Sequence, residues 1–220
     1  MKLKDVFEGK DYIDDAIYGI PHEDDIKKME KPTGEFSLFK TEEYFNQPPP
    51  KNSSTETVQE LFELDKMHLD VQFVIDADNI PQYFLTRTSD LNLGIKLGDF
   101  IKAVVDKTAP IILKIKYHYN RPRPVQVAKL HGLKFHDQPL KSAKTPSYPS
   151  GHTTQAYLLA YMLSDIYNKH TDRFFEIAEE ISKSRNIARQ HFLSDSEFGK
   201  KIAKDMWRYY ETKWYIKWSK

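Results

Sequence analysis

With 220 residues the chain has room for one ordinary domain and not two comfortable ones. Its 33 basic and 32 acidic residues leave a formal charge of +1, so bulk electrostatics favour neither nucleic acid nor an anionic membrane, and any anion site must be local. The absence of cysteine excludes disulfides, thiol chemistry and cysteine metal ligands.

The first residues, MKLKDVFEGKDYIDD, scatter charge and hold no apolar run of the kind a secretory signal needs, so the chain is expected to be either cytoplasmic or already processed, with cytoplasmic favoured. The most apolar stretches, 109–115 and 156–163, fall far short of the roughly 20 residues required to cross a bilayer, and no transmembrane segment is expected. Residues 1–50 are polar and broken by Pro21, Pro32, Gly34 and the run Pro48 to Pro50. They predict an irregular arm with one short helix at most, followed by a single helical domain over 51–220. Ser53, Ser54 and Thr55 offer capping oxygens, and Val58, Leu61, Phe62 and Leu64 recur at helical spacing, which predicts a helix over 55–67. The stretch after Val71 is ambiguous for some way.

Leu97, Ile101, Val104 and Val105 set a helical stripe that is expected to end near Thr108, with Pro110 starting a new helix through Ile111, Ile112 and Ile115. That helix should stop at Asn120, ahead of Pro122 and Pro124. Residues 130–149, rich in Pro, Lys, His and Gly, form a loop long enough to suggest a functional role. From Thr153 to about Asn168 nearly every face is apolar, as in a buried central helix. Helices over 172–190 and 195–217 complete an all-α chain, the last with Trp207, Tyr210, Trp214 and Trp218 on one stripe.

Three clusters carry chemistry. KYHYNRPRP places Lys116, Arg121 and Arg123 at a helix exit, where lysine gives a point charge and arginine a planar fork for a tetrahedral oxyanion. A solvated basic helix end is the plainer alternative. Pro149-Ser150-Gly151-His152 opens the buried helix, where backbone N–H groups and a glycine make an anion cradle beside His152; Ser150 as a mere cap is the alternative. Ser184-Arg185, then His191, then Asp195 follow S-R-x5-H-x3-D. Here His191 and Asp195 share one helix face or bridge a helix and its cap, and a carboxylate on one ring nitrogen leaves the other free to attack.

In this order, KxxxxxxRP, PSGH and SRxxxxxHxxxD resemble the three signatures of the superfamily of type 2 phosphatidic acid phosphatases, class A bacterial acid phosphatases and vanadium haloperoxidases. The stretch PPPxxSSTETVQEL at 48–61 is similar to the proline-rich segment of the soluble class A acid phosphatases, the members the chain resembles most. The resemblance implies an all-α helical bundle of the acid phosphatase/vanadium haloperoxidase type. It implies that Lys116, Arg123 and Arg185 hold phosphate oxygens with Ser150 and Gly151, that His191 becomes phosphorylated with Asp195 behind it, and that His152 serves as acid and base. Arg121 and Ser184 are possible additional phosphate ligands. Lys114 and Arg121 fit the first signature as well as Lys116 and Arg123, and the second pair is favoured. Ser196 stands where a small apolar residue is usual, and Gly199 where a glycine is common.

The expected function is therefore a metal-independent phosphomonoester hydrolase, acid phosphatase-like, acting on a small phosphorylated substrate. No cofactor and no nucleic-acid partner are expected, vanadate is an expected inhibitor, and a homo-oligomer is possible. The alternatives are a vanadium-dependent haloperoxidase, with vanadate as prosthetic group, and a non-catalytic phosphate-binding protein of the same fold. Haloperoxidases of this type are much larger, which favours the phosphatase.

Overall fold

The computed structural model describes residues 11–94 and 96–218, with side chains described over 12–94 and 96–211. Among them no strand occurs, and the fold is all-α. The arm contributes α1 (Asp11–Asp14), α2 (Glu23–Met29) and two short 3₁₀ turns, more helix than its punctuated sequence predicts. It lies along the domain. The amide nitrogen of Asn52 reaches the carbonyls of Ile13 and Ala16 at 3.1 and 3.2 Å, the Asp14 carboxylate accepts from Ser53, and Phe36 and Tyr44 enter the core.

Helix α3 (Thr55–Lys66) is capped by Ser54, which accepts from the Thr57 amide. The ambiguous region resolves into α4 (Val71–Asp76), capped by Asp70, and α5 (Ile80–Arg87), capped by Asn79 with a proline in its first turn. These caps satisfy amides that have no partner within the helix. Then α6 (Leu97–Tyr119) runs unbroken through Pro110, where the sequence predicts two helices. Pro110 removes the N–H that would reach the Asp106 carbonyl, and just before that point Thr108 Oγ1 donates to Val104 O at 2.8 Å and Gln155 Nε2 to Val105 O at 3.0 Å, tying the turn together. Burial of Ile111, Ile112 and Ile115 outweighs the roughly 3 kcal/mol that an interior proline costs. Asn120 ends α6 in the left-handed region (φ 49°), and its side chain and backbone clip the arm at Tyr18 and Gly19. The segment after Pro122 is not simply loop, because Pro124 opens α7 (Pro124–Leu130).

The central element is α8 (Gly151–Ile166), which buries Ala156, Leu158, Leu159, Ala160, Met162 and Leu163. It packs against α9 (Thr171–Ile187), through Phe174, Ile177, Ala178 and Ile181, and against α10 (Leu193–Trp218), through Phe198, Ile202, Ala203 and Met206. Trp207 stacks on Tyr161 and Tyr210 tilts against Phe36, while the side chains of Trp214 and Trp218 lie outside those described.

Gly199 sets how closely α10 approaches the start of α8. A Cβ there would sit 2.9 Å from the Ser150 carbonyl oxygen and 3.1 Å from Thr154 Oγ1. Because one of those atoms is backbone, the helix itself must shift. Gly199→Ala is expected to destabilise the fold by about 1–3 kcal/mol, read as a lower midpoint in urea at unchanged slope. A neutral result would mean the two helix ends are free to separate.

Candidate active site

The three clusters converge on Asp195. Its backbone carbonyl accepts from the Ser150 amide at 2.9 Å, which ties the first turn of α10 to the cap of α8. One carboxylate oxygen accepts from Arg121 Nη1 at 2.7 Å; the other accepts from the Phe192 amide at 2.9 Å, from Ser147 Oγ and, at 3.3 Å, from His191 Nδ1. Asp195 is fully buried. Burial alone would raise its carboxyl, but Arg121, His191 and Ser147 together hold it well below the usual carboxylate range. His191 sits in the turn between α9 and α10, so the pair bridges a turn and a helix start rather than sharing a helix face.

Hydrogen-bond chemistry sets the tautomer of His191. A carboxylate only accepts, so Nδ1 carries the hydrogen; a guanidinium only donates, and Arg123 Nη1 lies 3.3 Å from Nε2, so Nε2 presents its lone pair. Burial, with Arg123 and Lys116 close by, holds this imidazole well below its ordinary range and keeps it neutral. A neutral ring whose unprotonated Nε2 faces two cations is the protonation state a nucleophile needs.

Around that nitrogen runs a cavity of about 650 Å³, lined by Lys116, Arg123, Gly151, His152, Arg185 and His191 among others. Lys116 and Arg123 are buried at the end of α6 and the start of α7, whereas Lys114 is exposed. Lys116 Nζ donates to the carbonyls of Pro146 and Ser147; Arg123 donates to Thr145 O and Gln190 O. Arg185 Nη1 donates to Asp78 at 2.6 Å. Burial pushes all three cations down, Lys116 far below its usual value and Arg123 to about 10, with mutual repulsion between Lys116 and Arg123 adding to the effect on Lys116. Three buried cations face one cavity, and Asp195, Asp78 and Asp137 are the carboxylates that act on them. Gly151 lines this cavity, where an added Cβ would meet Ile112 and Lys116. Ser150 is fully buried as the cap of α8 and Ser184 hydrogen-bonds within α9, so neither lines the cavity. Among the described residues no group of three or more His, Asp or Glu side chains is arranged to hold a metal ion, and no helix is long and apolar enough to span a membrane.

Arg121 also stands outside the cavity, behind Asp195. Its guanidinium stacks on Phe192 at 3.9 Å, donates to Ser194 Oγ at 2.9 Å and lies 3.6 Å from Glu60. Burial raises the Glu60 carboxyl, against the pull of Ser194 and Arg121. Sequence reasoning missed Glu60 and Asp78. Glu60 sits unmarked on the polar side of α3, and Asp78, in the turn between α4 and α5, reads only as a residue before a helix cap. No local pattern distinguishes either from solvated carboxylates.

The helical fold and the cavity lined by buried cations and two histidines define a class, and comparison with known proteins supplies the family. A sequence model of the PAP2 superfamily matches residues 94–204, half of the chain, and the chain belongs to that superfamily. A non-specific acid phosphatase from Providencia stuartii is 33% identical over 88 residues, which are 40% of this chain and 35% of that protein. The chain thus aligns with about a third of that relative's length. A crystal structure described as the first bacterial vanadium-dependent iodoperoxidase shares the fold, with a TM-score of 0.60 at 16% identity over 76% of this chain and 52% of that one.

Two outcomes are expected from this geometry. Arg121→Ala strands the Asp195 and Glu60 carboxylates in the interior and should cost about 3–5 kcal/mol in thermal or denaturant unfolding; a loss under about 1 kcal/mol would show that water replaces the guanidinium. A histidine whose folded value is depressed costs stability once pH drops below its unfolded value near 6.5, because the unfolded chain binds the proton first. Ligand-free protein should therefore lose stability as pH falls below about 6.5, and inorganic phosphate should restore part of it. A melting temperature independent of pH between 6.5 and 4.5 would contradict neutral buried histidines.

Proposed function

We propose that the protein is a phosphomonoesterase acting through a phosphohistidine on His191. The observation that carries this is the convergence on one cavity of Lys116, Arg123 and Arg185 with a neutral His191 whose Nε2 lone pair faces them. A phosphate dianion would set its negative charge against these cations, and burial strengthens each cation's hold on its oxygens. Membership of the PAP2 superfamily and the partial similarity to a non-specific acid phosphatase support the same reading.

The chemistry divides into two displacements. Lys116, Arg123, Arg185 and the Gly151 amide hold three phosphoryl oxygens. His191 Nε2 attacks phosphorus in line as the ester P–O bond breaks, and Asp195 stabilises the imidazolium that forms. His152, lining the same cavity, gives its proton to the leaving oxygen. Water then attacks phosphorus, His152 takes the water's proton, and the P–N bond breaks to return His191. His152 is held below its ordinary range by burial and by Arg185, although 17% of its side chain reaches the cavity. The bound dianion favours its protonated form, so activity should be highest on the acid side of neutrality.

The test is p-nitrophenyl phosphate hydrolysis with excess chelator. Turnover is expected to persist, to be inhibited competitively by vanadate, and to fall about 10⁴-fold or more in His191→Ala. Rapid quenching with ³²P-labelled substrate should trap protein-bound label that survives alkali and is lost in acid. Turnover that survives His191→Ala, or that needs a metal, would sink the mechanism. The cradle would also hold vanadate, so bromide or iodide oxidation by peroxide after vanadate loading would point instead to a haloperoxidase.

A further inference from the structure

The two histidines of the cavity offer different nitrogens to it. His152 Nε2 lies 3.0 Å from the backbone carbonyl oxygen of Asp78, and a carbonyl only accepts, so Nε2 carries the hydrogen and Nδ1 is the nitrogen left for chemistry. The Asp78 carboxylate lies 3.6 Å from the same Nε2. It is itself held by Arg185 Nη1 at 2.6 Å and by Ser142 Oγ from the loop over 131–149. Burial would raise this carboxyl, but the hydrogen bonds from Ser142 and Arg185 hold it below its ordinary range.

We propose that His152 acts through Nδ1 and that Asp78 is its positioning residue: the backbone carbonyl fixes the hydrogen on Nε2, and the carboxylate, 3.6 Å from that nitrogen, favours a positive charge on the ring. The inference rests on the phosphatase reading and adds a residue outside the family-matched segment 94–204. Around His152, Arg185 from α9 and Lys116 from α6 oppose a positive charge on the ring, and Asp78 from the turn between α4 and α5 favours it. The same carboxylate therefore aligns a phosphate-binding arginine and supports the acid. Its proton economy is consistent with both displacements. When the ester P–O bond breaks, the proton on Nδ1 leaves with the alcohol and Nε2–H remains bonded to Asp78. The Nδ1 lone pair so exposed then receives the proton of the attacking water as the P–N bond breaks. The tautomer favoured by Asp78 is thus the one required between the two steps.

Two measurements test this. In ¹⁵N spectra of the ligand-free protein, with His152 assigned by its loss in His152→Gln, the ring should be neutral with hydrogen on Nε2; hydrogen on Nδ1 would overturn the proposal. This readout needs no turnover, so it stands apart from the fate of His191→Ala. In kinetics, Asp78→Asn keeps the size and the backbone carbonyl but removes the charge. The alkaline limb of kcat/KM should move to lower pH by about one unit, because the ring then loses its proton more readily. Turnover of an alkyl phosphate should fall about tenfold or more, and that of p-nitrophenyl phosphate less, because its leaving oxygen needs little protonation. In a His152→Ala background Asp78→Asn should lower kcat by a smaller factor than it does with His152 present, only the contribution through Arg185 remaining. Equal loss for both substrates with an unmoved limb, loss undiminished in the His152→Ala background, or a change confined to inhibition by inorganic phosphate would leave Asp78 as no more than an anchor for Arg185.

Discussion

The buried Asp195 carboxylate is the constraint on which the rest of the site depends. It receives Arg121 from the segment after α6, Ser147 from the loop before α8, and the Phe192 amide and His191 from the turn before α10. Its own carbonyl receives the Ser150 amide at the start of α8. One residue thus joins all three sequence clusters, and a charge buried this completely is tolerated only because several donors share it. The approach of α10 to α8 at Gly199 brings the carboxylate within reach of those donors.

On the other side of His191 the balance is reversed. Lys116, Arg123 and Arg185 point their charge into a cavity, each held by backbone carbonyls or by Asp78, and burial keeps both histidines neutral. Clustering these buried cations costs stability, and under the proposed function the substrate's phosphoryl group relieves their repulsion. The same contacts preorganise two of the cations: the carbonyls of Thr145, Pro146 and Gln190 hold Arg123 and Lys116 in place.

The family-matched segment 94–204 contains the motif residues, but the supporting charges come from outside it. Glu60 on α3 backs Arg121, Asp78 contacts His152 and Arg185, and Asp25 and Lys28 of α2 line the outer cavity. The arm is joined to the domain by Asn52, Asn120 and Tyr44, so the outer wall of the cavity is built partly from residues whose own sequence reads as irregular.

The sequence by itself determined the all-α class, the positions of α3, α8, α9 and α10 to within a few residues, and the residues of the three motifs, because helical periodicity and motif spacing are local properties of the chain. It misjudged Pro110, where local propensity predicts a break and long-range burial of Ile111, Ile112 and Ile115 carries the helix through. Both lysine–arginine registers fit the sequence signature, and tertiary structure separates them: the favoured Lys116 and Arg123 line the cavity while Lys114 is exposed and Arg121 braces Asp195. It also decided which nitrogen each histidine offers, since Asp195 is four residues from His191 but Asp78 is seventy-four from His152. A carboxylate's role is set by what it meets across space, and for Glu60 and Asp78 nothing nearby in the chain records that meeting.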